Sequence, residues 1–190
     1  MGRRNEVRIV GGRWRGHRLH FPSLPGLRPT PDLVRETLFN WLAGKVEGRR
    51  VLDLYAGSGA VGLEAASRGA EVVWLVERNP QAFRALGENL LKLGCGDRVK
   101  PIRADAVRFL RRGAEEPFDI VFVDPPFGKG LIAPTCRLLE ERGWLKLGSL
   151  IYLEAESHLP LPPLPGSWQP LKEKKVGQLI GRLYRRESPS

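Results

Sequence analysis

The chain has 190 residues, 42% of them hydrophobic and 27% charged, with 31 Lys and Arg against 21 Asp and Glu. That length suits one domain, and that apolar content can fill a core, so disorder is excluded as the main state. No apolar run reaches the ~18–20 residues of a membrane helix, residues 1–10 are basic with no apolar segment behind them, and Cys95, Cys136, His17, His20 and His158 lack metal-ligand spacing. A membrane span, a secretory leader, a disulfide framework and a metal site are therefore not expected, and the reducing cytoplasm is the expected compartment.

The chain opens with a basic arm, 1–28, carrying seven Arg against one Glu. Within it 7–10 and 18–21 alternate polar and apolar residues around Gly11, Gly12 and Gly16, the pattern of a β-hairpin. Pro22, Pro25 and Pro29 then make a stiff linker. Thr30 and Pro31 read as an N-cap and first helical residue, with Val34, Leu38, Trp41 and Leu42 on one helical face that ends near Gly44.

From here strand and helix alternate. The predicted strands are 51–55, 71–76, 99–103, 118–123 and 149–154. Between them lie a small-residue helix reaching Arg68, a helix opened by Asn79-Pro80 and stopped at Gly94, and helices near 105–112 and 131–142. Residues 158–170 are a proline-rich loop, and 171–176 with 178–185 close the chain as a hairpin around Gly177. Repeated strand–helix units predict an α/β fold, a parallel sheet covered by helices on both faces.

The net charge is confined to the ends. Residues 29–169 balance, whereas 170–190 hold six Lys and Arg against two Glu. A polyanion, nucleic acid first, is the partner this implies, and a solvated tail is the plainer alternative. In the arm, Arg3, Arg4, Arg8, Arg13, Arg15, Arg18 and Arg28 can meet phosphates, and Trp14 between two of them can stack on a base. The arm is expected to serve nucleic-acid binding and not cofactor binding. The alternative is that Ile9, Val10, Leu19 and Phe21 make it a cover on the core.

Four acids stand at or near the carboxyl ends of the predicted strands: Asp53, Glu77, Asp105 and Asp124. That is where an open α/β sheet binds its ligand, although Asp105 alone could equally be a helix cap. Residues 57–62 match the glycine pattern of dinucleotide-binding loops, with Glu77 at the spacing of a ribose acceptor. Asp53 ahead of that loop disfavours a pyrophosphate and suits an ammonium or sulfonium, both of which S-adenosylmethionine carries. Asp124, Pro125, Pro126 and Phe127 form the most specific feature. An exocyclic base amine is a poor nucleophile because its lone pair is delocalised. The Asp124 carboxylate and Pro125 carbonyl, accepting from its hydrogens, would localise that pair, and Phe127 could stack on the extruded base.

With these motifs in place, the sequence resembles a known family. DLYAGSG (53–59), Glu77, DA (105–106) and DPPF (124–127) are similar to class I S-adenosylmethionine-dependent amino-methyltransferases. Residues 8–19, 27–42 and 177–187 narrow the resemblance to the RsmD family of bacterial 16S rRNA guanine-N2 methyltransferases. The resemblance implies a Rossmann-like fold with a mostly parallel seven-stranded sheet, an antiparallel C-terminal hairpin and the N-terminal hairpin arm. The division implied is 1–28 for the arm and 29–190 for the methyltransferase domain. Also implied are S-adenosylmethionine as donor, a guanine of 16S rRNA in the 30S subunit or an assembly intermediate as acceptor, and a monomer working without membrane or metal. By the same resemblance Asp53, Ala56, Gly57 and Gly59 would hold the methionine part of the donor. Glu77 would hold its ribose, with Arg78, Asp105 and Ala106 around its adenine, and Thr30, Arg35 and Asn40 closing over it; for Arg35 a plain surface role is equally open. An adenine-N6 or other nucleic-acid amino-methyltransferase, an NAD-dependent oxidoreductase and a non-enzymatic ribosome-assembly factor are the alternatives.

Overall fold

The computed structural model describes residues 5–188. Nine strands and five α-helices follow one another within that range. β1 (Asn5–Arg8) and β2 (Arg18–Phe21) pair antiparallel, from Asn5 opposite Phe21 to Arg8 opposite Arg18. The hairpin expected over 7–10 and 18–21 thus exists, with its first strand set two residues earlier. The seven-stranded sheet comprises β3 (Arg50–Asp53), β4 (Val72–Glu77), β5 (Val99–Arg103), β6 (Phe118–Val123), β7 (Leu145–Glu156), β8 (Trp168–Val176) and β9 (Leu179–Arg186). Their order is β5-β4-β3-β6-β7-β9-β8, parallel from β5 to β7 and antiparallel at β9 and β8.

The helices are α1 (Asp32–Trp41), α2 (Ala60–Ser67), α3 (Pro80–Leu93), α4 (Ala106–Leu110) and α5 (Ile132–Glu141). α3 begins and ends on its expected signals: Asn79 Oδ1 accepts from the amides of Gln81 and Ala82, and Gly94 closes the helix with φ 63°. α1 differs. Pro31, not Thr30, is its N-cap, no side chain caps it, and the Thr30 hydroxyl is engaged elsewhere. β7 is longer than 149–154 because the Ser149 hydroxyl bridges the Phe118 carbonyl and the Lys146 amide, carrying pairing with β6 past an irregularity.

Two apolar clusters cover the two faces of the sheet. Phe118, Val121, Val123, Phe109, Leu139 and Trp144 are in one; Val51, Phe122, Tyr152, Leu38, Phe39 and Leu63 are in the other. The second cluster also contains Val7, Ile9, Trp14, Leu19 and Phe21, so the arm contributes to the main core. Its loop is pressed onto the end of α2. Ser67 Oγ donates to the Gly11 carbonyl at 2.6 Å and accepts from the Trp14 amide at 2.9 Å, while the Arg13 amide donates to the Ser67 carbonyl at 2.7 Å. Gly12 permits this approach: at φ 77° any Cβ would lie 2.1 Å from the Ser67 carbonyl oxygen.

This docking corrects the expectation for Trp14. Its ring is only 5% exposed and lies beneath the Arg98 guanidinium, so it offers no free surface for stacking on a base. Arg8, Arg13, Arg15 and Arg28 are exposed, Arg18 is exposed but paired with Glu6 at 2.9 Å, and Arg3 and Arg4 lie outside the described residues.

Candidate active site

The chain leaves β3 toward β4 and β5 on one side, then returns to place β6 and β7 on the other. The reversal between β3 and β6 opens a crevice at the carboxyl ends of those strands. Asp53 ends β3 there, 3% exposed, with its Oδ2 accepting from the Gly62 amide at 3.1 Å. Burial pushes its carboxyl up to about 7, and Glu77 adds repulsion, against the lowering effect of backbone donors at Gly62 and Tyr55.

The loop after β3 is fixed from its neighbour strand. The Ala56 amide donates to the Val76 carbonyl at 3.0 Å, and the Gly57 amide to Glu77 Oε2 at 2.8 Å. Glu77 Oε1 accepts from the Asn79 amide at 2.7 Å, so one carboxylate ties the glycine loop to the head of α3. Gly59 begins α2 at φ 81°, where a Cβ would also lie 2.5 Å from Leu86. Only glycine satisfies both demands.

Asp124 leaves β6 half-buried, and its Oδ2 accepts from the Thr30 hydroxyl at 3.5 Å. Burial, then the charges of Glu154 and Asp53, hold its carboxyl well above the usual carboxylate range. Glu154 is a residue the sequence reasoning missed. Val123 pairs with Leu153, so Asp124 and Glu154 leave adjacent strands side by side. Glu154 is 3% exposed, accepts from the Tyr152 hydroxyl at 3.0 Å, and is itself raised by burial. Its signal was available: an acid at the end of a predicted strand, like the other four. Pro125 and Pro126 follow Asp124, and Phe127, next in the turn, is 46% exposed.

Asp53, Glu77 and Asp124 are thus brought together, with Ala56, Gly57 and Gly59 beside them. Asp105 is not free in the same way: its Oδ1 caps α4 by accepting from the Arg108 amide at 2.9 Å. Ala106 is the buried first residue of that helix, and Arg78 is exposed just past Glu77. Thr30 reaches Asp124, whereas Asn40 lies exposed toward the other end of α1, ~15 Å along the helix axis.

Arg35 is not the surface residue that one of its two expected roles required. It is fully buried, donating to the carbonyls of Thr30 at 3.2 Å and Arg8 at 2.8 Å, to Glu64 at 3.4 Å, and to Asp32. It therefore holds the segment that delivers Thr30 to Asp124.

Among the described residues, no Lys or Arg side chain bonds Asp53 or Asp124, whose side chains accept from the Gly62 amide and the Thr30 hydroxyl. Buried carboxylates facing a crevice without a counter-charge fit a cationic ligand. The ammonium and sulfonium of S-adenosylmethionine meet that requirement, and a pyrophosphate does not.

A mostly parallel sheet reversing between its central strands, a glycine loop after the first of them and an Asp-Pro-Pro-Phe turn after the other define the class: a Rossmann-like class I methyltransferase. Comparison with known proteins gives the family. Residues 7–185 match the family model described as Conserved hypothetical protein 95. The chain is 47% identical to ribosomal RNA small subunit methyltransferase D of Escherichia coli, over 96% of this chain and 91% of that protein. Identity to the protein of the same name from Haemophilus influenzae is 43%, over 95% and 94%. Among solved structures, yhhF of Escherichia coli superposes with a TM-score of 0.90 at 44% identity, over 97% of this chain and 100% of that one. The Thermus thermophilus 16S rRNA N2 methyltransferase RsmC, in complex with AdoMet and guanosine, gives 0.74 at 25% identity, over 97% of this chain and 50% of that one. The chain belongs to the Conserved hypothetical protein 95 family, that of ribosomal RNA small subunit methyltransferase D.

Proposed function

We propose that this protein transfers a methyl group from S-adenosylmethionine to the exocyclic N2 amine of a guanine in 16S rRNA. Its substrate is the 30S subunit or an assembly intermediate, and it works in the cytoplasm as a monomer without a metal. The observation that carries this reading is Asp124, at the head of an Asp-Pro-Pro-Phe turn, standing close to Asp53 in a chain whose relatives are named as small-subunit rRNA methyltransferases.

When bound, S-adenosylmethionine supplies an electrophilic methyl group on a sulfonium. Asp53 would meet its ammonium, the loop from Ala56 to Gly59 its methionine backbone, and Glu77 its ribose hydroxyls. Asp124 and the Pro125 carbonyl accept hydrogen bonds from the target amine, turning its lone pair toward the methyl carbon. Phe127 stacks on the base and fixes its plane. The target nitrogen, once it has taken up the methyl group through its lone pair, would have to lose a proton. A carboxylate held above its usual range, as Asp124 is, can accept that proton.

The test is tritiated methyl transfer to small-subunit rRNA and to 30S particles lacking the modification, followed by nucleoside analysis. N2-methylguanosine is expected; label on adenine, or no transfer to either substrate, overturns the reading. Asp124→Ala should lower turnover about 10²–10³-fold while donor affinity, by calorimetry, stays near that of the parent protein.

A further inference from the structure

The basic C-terminal segment has no part in the function described so far, yet 170–190 carry six Lys and Arg against two Glu. The structure sorts those charges. Arg182 pairs with Glu173 at 2.7 Å, Arg186 with Glu140 at 2.9 Å, and Arg185 with Glu187. Lys172, Lys174 and Lys175 have no ion pair among the described residues, and all three are exposed on β8, the outermost strand of the sheet. Lys172 and Lys174 stand on one face of β8 and Lys175 on the other, so unpaired positive charge flanks this edge strand on both sides.

Topology then aims that edge. β8 runs antiparallel to β9, which runs antiparallel to β7, which is parallel to β6. β8 thus runs in the same direction as β6 and ends on the same rim as Asp124. Lys174 pairs with Gly181, Gly181 with Glu154, and Glu154 emerges beside Asp124, so the four lie in one row across the sheet. At ~4.8 Å per strand, Lys174 stands about 14 Å from Asp124. That is about four steps of a stacked nucleic-acid strand at ~3.4 Å each. The arm lies on the other side of Asp124, with β2 bonded to α3 through His20 and Asn89.

We propose that Lys172, Lys174 and Lys175 form a second phosphate-binding strip, which holds rRNA flanking the target guanine on the side of the crevice away from the arm. The proposal rests on rRNA being the substrate. Two plainer roles compete with it. Lysines on an edge strand block edge-to-edge pairing between molecules, and Lys174 reaches the Thr37 hydroxyl of α1 at 3.4 Å.

The test is the triple variant Lys172→Gln, Lys174→Gln, Lys175→Gln beside a triple Lys→Arg variant, with binding to unmethylated 30S particles and to small-subunit rRNA measured across a salt series. The Gln variant should show a log affinity versus log salt slope shallower by about 2, using ~0.7 per phosphate contact for single strands. Its KM for RNA should rise while kcat, donor affinity and melting temperature stay unchanged, and the Arg variant should behave as the parent. An unchanged slope and KM in the Gln variant overturn the strip, as does a variant whose only change is self-association. A fall in melting temperature together with an unchanged slope assigns Lys174 to the α1 contact and overturns it too. If the parent protein methylates neither substrate, the failure lies with the rRNA reading itself.

Discussion

Asp53 is a carboxyl held up to about 7 by burial, and no ion pair to it is formed among the described residues. In the free protein below that pH it carries a proton. An ammonium placed against it favours the ionised form, so binding the donor must release that proton. Donor affinity should therefore rise with pH toward about 7 and level off above it. Calorimetry near pH 6 in buffers of different ionisation heat should detect proton release, which Asp53→Asn should abolish along with about 1.5–3 kcal/mol of binding. Glu154 gives a second residue-scale prediction. Its charge is among the causes that raise Asp124, after burial itself. Asp124 must be ionised to accept from the amine, so the acidic limb of the kcat–pH profile reports its titration. Glu154→Gln should move that limb to lower pH; a limb that stays in place would remove Glu154 from the site. The acids at the strand ends were legible because a short apolar run followed by a carboxylate has few structural explanations in a parallel sheet. The charge network of Arg35 was not. An arginine in an amphipathic helix carries no mark of burial, and its acceptors, the carbonyls of Arg8 and Thr30, are backbone groups that any sequence supplies.

At the scale of elements, α2 links the cofactor loop to the arm. Its first turn follows Gly59, and its Glu64 is fully buried, accepting from the amides of Val10 at 2.9 Å and Gly11 at 2.7 Å and from Arg35 and Arg68. Removing one partner of a buried ionic network strands the others, at a cost of about 3–5 kcal/mol. Glu64→Ala should lower stability by that order in chemical denaturation. It should also weaken donor binding, because the helix that carries the glycine loop loses its support. The helix signals at Asn79 and Gly94 had local causes and were readable. The start of α1 misled because Thr-Pro is a good cap in isolation, and only the fold brings Asp124 within reach of the Thr30 hydroxyl.

Across the whole molecule, the arm and the sheet share one core, which sets the outcome of removing residues 1–28. Val7, Ile9, Trp14, Leu19 and Phe21 would leave a bare face over α2 and α3. Deletion should lower the melting temperature and donor affinity together, in contrast to a nucleic-acid clamp that could be detached. Replacing only the exposed Arg13 and Arg15 with Gln should leave both intact and flatten the salt dependence of RNA binding by about 1–2 in slope. The hairpin's alternation was visible in the sequence, but its burial depended on Glu64, Ser67 and Asn89, partners that no local pattern announces. That separation also bears on how the protein is made. Val10 is translated 54 residues before Glu64, and His20 precedes Asn89 by 69. At ~5–20 residues per second, the first segment out of the ribosome waits roughly 3–14 s for its anchors to be synthesised. The first strands to be made are therefore among the later ones to settle, and until then they remain an open basic segment beside the machine that is building it.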